Sequence, residues 1–115
     1  MTDATLSEVQ ETLSDYADFW NGDFSKSDAI ADEAIIYDTI LSGGEVTGQD
    51  AIEEYMRGLH AQNPNAHVTV GDTLIDDGIA MYEWTMTGTG QGELNGMSKT
   101  LIEDGRVVED RIYHE

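Results

Sequence analysis

A chain of 115 residues without cysteine is long enough to bury a core as one domain without a covalent staple, and it excludes a disulfide framework and thiolate chemistry. Aspartate and glutamate number 24 against 5 lysines and arginines, a formal charge of −19, which leaves no basic stripe to meet phosphates and so excludes nucleic-acid binding. No apolar run approaches the ~20 residues of a membrane span and the first residues lack a signal-peptide pattern, so a cytoplasmic protein with no membrane partner is expected.

Leu6, Val9, Leu13, Tyr16, Ala17 and Trp20 recur at helical spacing and predict a helix over 6–20. Thr5 with Glu8 supplies a capping pattern at its start, and Gly22 a left-handed stop. A short second helix is expected near 27–31. Ala34-Ile35-Ile36-Tyr37-Asp38 reads as a strand. Gly43-Gly44 marks a turn into a brief strand over 45–47. Thr47 is expected to cap a helix with apolar positions Ile52, Tyr55, Met56 and Leu59, which Asn63-Pro64-Asn65 ends.

From 66 onward the pattern is all strand. Residues 66–75 place Val68, Val70 and Leu74 on one side. Asp76-Asp77-Gly78 is a hairpin turn. Over 79–88, Ala80, Tyr82, Trp84 and Met86 alternate onto one face. A connection with Gly88, Gly90, Gly92 and Gly96 leads to a strand over 97–102. Glu103-Asp104-Gly105-Arg106 turns the chain into a last strand over 107–113. Helices segregated from a run of hairpins predict one α+β domain over 1–115, with helices on one face of the sheet.

The acidic excess is spread along the chain, in pairs such as Asp32-Glu33, Glu53-Glu54 and Asp76-Asp77. Such a shell repels itself at low ionic strength, whereas at ~1 M salt the screening length is ~3 Å. The composition therefore predicts a protein working in concentrated salt, as halophilic archaea make.

Four stretches together resemble the SnoaL-like group of the nuclear transport factor 2-like superfamily over roughly residues 8–115. They are Phe19-Trp20-Asn21-Gly22-Asp23 closing the first helix, Ile36-Tyr37-Asp38 followed by Gly48-Gln49-Asp50-Ala51-Ile52, Tyr82-Glu83-Trp84 leading to Gly88-Thr89-Gly90, and Glu103-Asp104-Gly105-Arg106-Val107-Val108-Glu109. The resemblance implies a cone: a strongly curved antiparallel sheet with helices packed over a central pocket. It also implies a homodimer through the outer sheet face, where Val107, Arg111 and Tyr113 are expected. Relatives include polyketide cyclases, steroid isomerases, epoxide hydrolases and proteins of no known activity, so fold alone does not assign function.

By the same resemblance Asp38 takes the place of an isomerase's general base; among the aromatics expected to line the cavity, Tyr16 or Tyr37 is the candidate donor to the developing oxyanion. The isomerases' second, acidic donor falls near Met97, the acidic residue of the last strand at Ile112, and the hydrolases' arginine–aspartate pair near Trp84 and Met86. These apolar replacements imply a greasier pocket than those chemistries use. Asp110 precedes Ile112 by two and shares its strand face. Trp20, Tyr55, Leu59, His67, Trp84, Met86, Met97, Asp110 and Ile112 are the expected ligand-binding wall. His60, His67 and His114 have no metal-ligand spacing, and the glycine-rich connection is followed by neither Lys-Ser nor Lys-Thr, so no metal or cofactor is expected.

The leading reading is a pocket protein that holds a small apolar or aromatic molecule. A cofactor-free isomerase or cyclase using Asp38 is the alternative, and a dimerising interaction domain with a filled pocket the third.

Overall fold

The computed structural model describes residues 6–38 and 44–115; the expected Thr5 cap and Gly43 lie outside them. Helix α1 (Leu6–Trp20) buries Val9, Thr12, Leu13, Tyr16, Phe19 and Trp20 on one face. It ends in a Schellman turn, in which the Asp23 amide donates to the Asp18 carbonyl and the Gly22 amide to that of Phe19. Gly22, with φ 98°, occupies the left-handed position that this motif reserves for glycine. The His60 ring reaches across to the Trp20 carbonyl at 2.8 Å, satisfying another exposed acceptor of the helix end.

A 3₁₀ turn over Phe24–Ala29 replaces the helix expected at 27–31. Its Asp23 cap accepts from the Ser25 amide, which starts the turn three residues early. Strand β1 (Ile30–Asp38) follows directly, longer than predicted. Strand β2 (Gly44–Thr47) pairs back on it. Helix α2 (Gln49–Gln62) is capped by Gly48, not Thr47, and has no side-chain cap bond; Gly48 instead donates its amide to Ala34 O at 2.7 Å. Its buried face is Ile52 and Met56.

Strands β3 (His67–Asp76), β4 (Ile79–Thr87), β5 (Leu94–Glu103) and β6 (Arg106–His114) complete a six-stranded sheet in the order β2-β1-β6-β5-β4-β3. Neighbours are antiparallel except β1 and β6, which run parallel. Strand β5 starts three residues before the prediction, so Gly96 is a strand residue and not part of the glycine-rich loop. In the tight turn between β5 and β6, Asp104 and Gly105 have φ 52° and 76°, the left-handed pair that a two-residue hairpin of this hand requires.

Register shifts bend the sheet. The pairing slips between Val70 and Thr73 on β3 and between Val107 and Glu109 on β6, opposite Leu101 and Ile102, and on these two strands each slip reverses which side chains face inward. For this reason Leu74 is exposed and Ile75 packs against the core, although simple alternation places Leu74 with Val70. Likewise Val107 is buried in the core and not on the outer face, while Arg111 and Tyr113 do lie outside. The inner side of β4 is Ala80, Tyr82, Trp84 and Met86, all buried. Helices α1 and α2 cover this concave side, giving an α+β cone with an unclosed, curved sheet. Asn21 fastens α1 to the edge strand: its amide oxygen accepts from Val68 N at 2.6 Å and its amide nitrogen donates to Val68 O at 3.0 Å.

Candidate functional site

Inside the cone, four strand and helix positions bring a polar cluster to an apolar wall. Tyr16 projects from α1, and its hydroxyl donates to Asp110 Oδ2 on β6 at 2.5 Å. Thr100 on β5, directly in register with Asp110, donates to the other carboxylate oxygen at 3.0 Å. Since Thr100 spends its proton there, Tyr82 on β4 donates to Thr100 Oγ1, at 2.8 Å. The chain of donors thus runs from Tyr82 through Thr100 to Asp110 and from Tyr16 to the same carboxylate. Tyr16, Thr100 and Asp110 are essentially inaccessible to solvent and Tyr82 nearly so.

Burial in this setting opposes ionisation. The Asp110 carboxyl is pushed up to about 6, above its ordinary 3.8, by desolvation; the bonds from Tyr16 and Thr100 pull it back, and the nearby Asp38 carboxyl raises it further. Burial, then the Asp110 charge, hold both phenols well above their ordinary range, so Tyr16 and Tyr82 remain proton donors at any working pH.

Leu13, Tyr16, Ala17, Trp20, Val68, Val70, Tyr82, Trp84, Met86, Ser98, Asp110 and Ile112 enclose a cavity of about 30 Å³, room for a water molecule or two. Trp84 Nε1 is buried and has no hydrogen-bond partner among the described residues.

A second polar pair lies nearby. Asp38, at the end of β1 and 1 % exposed, takes a hydrogen bond from His114 Nε2 at 2.8 Å. The His114 ring stands edge-on to Trp84 with centroids 5.3 Å apart. Tyr55 on α2 is pushed up to about 12 by burial and then by the Asp38 charge.

The structure sorts the residues that sequence reasoning singled out. Tyr16, Trp20, Trp84, Met86, Asp110 and Ile112 meet at the cavity. Asp38 is inside the cone, engaged by His114 and not on the cavity wall. Tyr55 and Leu59 pack against the core behind it. Tyr37 does not join them: it alternates to the outer sheet face, where Arg111 covers its ring at 4.4 Å. Met97 is 45 % exposed on that same outer face, since on β5 it is Gly96, Ser98 and Thr100 that turn inward. His67 is exposed at the start of β3. Thr100, Tyr82, Ser98 and His114 were not among the expected site residues. His114 follows Asp110 and Ile112 at steps of two, and this spacing alone places it on their face. Among the described residues no group of three or more histidines and carboxylates could hold a metal ion.

Residues 13–110 match the SnoaL-like domain. The chain belongs to the SnoaL-like domain family. This SnoaL-like chain is also similar in fold to several solved structures. One is a protein of unknown function with a cystatin-like fold from Methylobium petroleophilum PM1, at 21% identity and a TM-score of 0.86 over 98% of this chain and 79% of that one. Another is a candidate ketosteroid isomerase from Kribbella flavida, at 17% and 0.81 over 95% and 78%. A third is a candidate polyketide cyclase from Sinorhizobium meliloti, at 18% and 0.77 over 89% and 93%. At these identities the likeness is one of fold. A comparison with curated proteins found no match. No helix among the described residues of the SnoaL-like chain is long and apolar enough to cross a membrane.

Proposed function

We propose that this SnoaL-like domain holds a small, mostly apolar molecule inside the cone, with an uncharged polar end turned toward Tyr16, Trp84 and Asp110. The observation that carries this reading is the buried Asp110. A carboxyl held up to about 6 by desolvation works against folding at neutral pH, so a domain that only needed a filled core has no use for it. It stands beside an apolar wall and an indole N–H with no partner among the described residues, a donor suited to a ligand oxygen. The enclosed volume is smaller than an organic ligand, so binding requires the wall to move.

The test is ligand-observed NMR with 2-cyclohexen-1-one, a small apolar ring bearing one acceptor. Saturable binding is expected, weakened about two- to tenfold in Trp84→Phe, the cost of one neutral hydrogen bond. Absence of saturable binding overturns the reading.

The isomerase or cyclase alternative gains one specific support. A carboxyl near 6 beside a permanently protonated phenol is matched to proton transfer near neutrality. Asp110 with Tyr16 fits that role by its position on the cavity, and Asp38 would act from behind Ile112. Deuterium wash-in beside the carbonyl of the same enone, lost in Asp110→Asn, would establish it; no exchange leaves a binding protein.

We propose further that the domain pairs with a second copy and works in concentrated salt. Met81, Met97 and Tyr113 are exposed on the outer sheet face, an apolar surface suited to a second copy, and the charge of −19 suits concentrated salt, where repulsion is screened. Melting and light scattering across 0.1–3 M potassium chloride test both. The expected result is a melting temperature that climbs with salt and the mass of a dimer at the upper end. A flat or falling melting temperature removes the salt reading, and a monomer throughout removes the pairing.

A further inference from the structure

On the side of the cone where α1 faces β3, an open groove of about 460 Å³ is lined by Leu6, Leu13, Ala17, Val70 and Ile75, together with the polar Gln10, Ser14 and Thr73. Leu13, Ala17 and Val70 also line the inner cavity, so these three side chains are the partition between the two spaces. Neither space suffices alone: the cavity has the polar groups and too little room, while the groove has room and an apolar floor. The groove exists because of the β3 irregularity. Between Val70 and Thr73 the pairing with β4 slips, which bends the edge strand at that point and turns Thr73 and Ile75 toward α1 where Asp72 and Leu74 would otherwise point.

Resting on the reading given above, we infer that the ligand is an elongated neutral amphiphile, its hydroxyl or carbonyl end in the cavity and its hydrocarbon chain passing between Leu13, Ala17 and Val70 into the groove between α1 and β3. The partition is made only of apolar side chains, which a hydrocarbon crosses without desolvating a polar group. A carboxylate end is disfavoured because it would meet the buried Asp110 inside a chain of charge −19.

A series from 2-butanone to 2-decanone, followed through fluorescence of Trp20 and Trp84, the chain's two tryptophans, tests this. Both line the cavity. Affinity is expected to rise about fourfold per methylene as the chain lengthens, and octanoate near pH 8 to bind at least about tenfold more weakly than 2-octanone. Ser14→Phe, which fills the groove from its α1 side, should keep the binding of 2-butanone and abolish the gain with length; Thr73→Phe does the same from β3 if the first variant does not fold. Equal affinity at all lengths overturns the groove while leaving the cavity reading in place, whereas failure of every ketone removes both. Octanoate binding as tightly as 2-octanone overturns the neutral end. If the Phe variants change the oligomeric mass and not the length dependence, a second copy fills the groove and the inference falls.

Discussion

Replacing Asp110 by asparagine should stabilise the fold at neutral pH and remove a pH dependence that the wild type shows. The folded-state carboxyl is raised to about 6 from 3.8, so the folded state holds its proton more tightly than the unfolded chain. Below 3.8 both states are protonated and the group costs nothing. As pH rises through 3.8 the unfolded state gains by ionising, and the loss of stability is complete above about 6, amounting to about 3 kcal/mol. Asparagine keeps the shape, accepts from Tyr16 and carries no charge. The difference between Asp110→Asn and wild type, measured by urea denaturation at fixed salt from pH 3.5 to 8, should therefore grow by about 3 kcal/mol in favour of the variant, almost all of it between pH 4 and 6. Parallel curves would show that Asp110 ionises freely, and a ligand role for it would lose its basis.

Substituting Gly96 should be among the most damaging single changes outside the large apolar core. Gly96 faces Trp84 on β4 and His114 on β6 in register, and the Trp84 indole lies across it. A Cβ built there falls 2.5 Å from Trp84 Cζ2 and also collides with the Tyr113 main-chain carbonyl. The ring can turn away only by leaving the cavity wall and the His114 ring; the backbone carbonyl cannot move without opening the β5–β6 ladder. Gly96→Ala is expected to cost about 3 kcal/mol or more and to shift the tryptophan emission. Gly58→Ala is the control. Beyond its own turn of exposed helix nothing lies within 4 Å of the added Cβ, so it should stabilise by about 0.5–1 kcal/mol. A Gly96→Ala variant as stable as wild type would mean that the sheet yields at this point.

Both positions show which parts of the structure were legible in advance. The amphipathic face of α1, the alternation of Ala80, Tyr82, Trp84 and Met86, and the Asp-Gly turns are local signals, and they place three elements of the cone without reference to one another. Strand irregularities are not local signals. Gly71, a glycine inside a strand run, is the one hint of a bulge in Val70-Gly71-Asp72-Thr73, and it does not fix where the phase reverses, so simple alternation puts Leu74 inside; Val107, beyond another slip, is expected outside. The candidate site was half visible. Tyr16, Trp20, Trp84 and Ile112 stand out as large side chains on apolar faces, whereas Asp110 is one acid among 24 and Thr100 and Ser98 look like ordinary strand residues. Their meaning comes from cross-strand register, Thr100 opposite Asp110 and Ser98 opposite Ile112, which depends on how two strands align. Met97 is drawn to the site by resemblance and Tyr37 by its aromatic hydroxyl, and alternation within their own strands sends them to the other face.

The parallel contact between β1 and β6 has a consequence for how the molecule is made. Strand β6 lies between β5 and β1, so the segment 30–62 joins the rest of the sheet only through a strand that starts at Arg106 and leaves the ribosome well after α2 ends at Gln62. While synthesis proceeds, β1, β2 and α2 have no sheet to dock on, and their apolar faces wait in solution. Such sequence-distant pairing slows folding, since a large loop must close before any contact rewards it. The same arrangement makes β6 the keystone: the residue that holds the ionisable site, Asp110, and the residue that grips Asp38, His114, arrive together, and interior and shell are completed in a single late event.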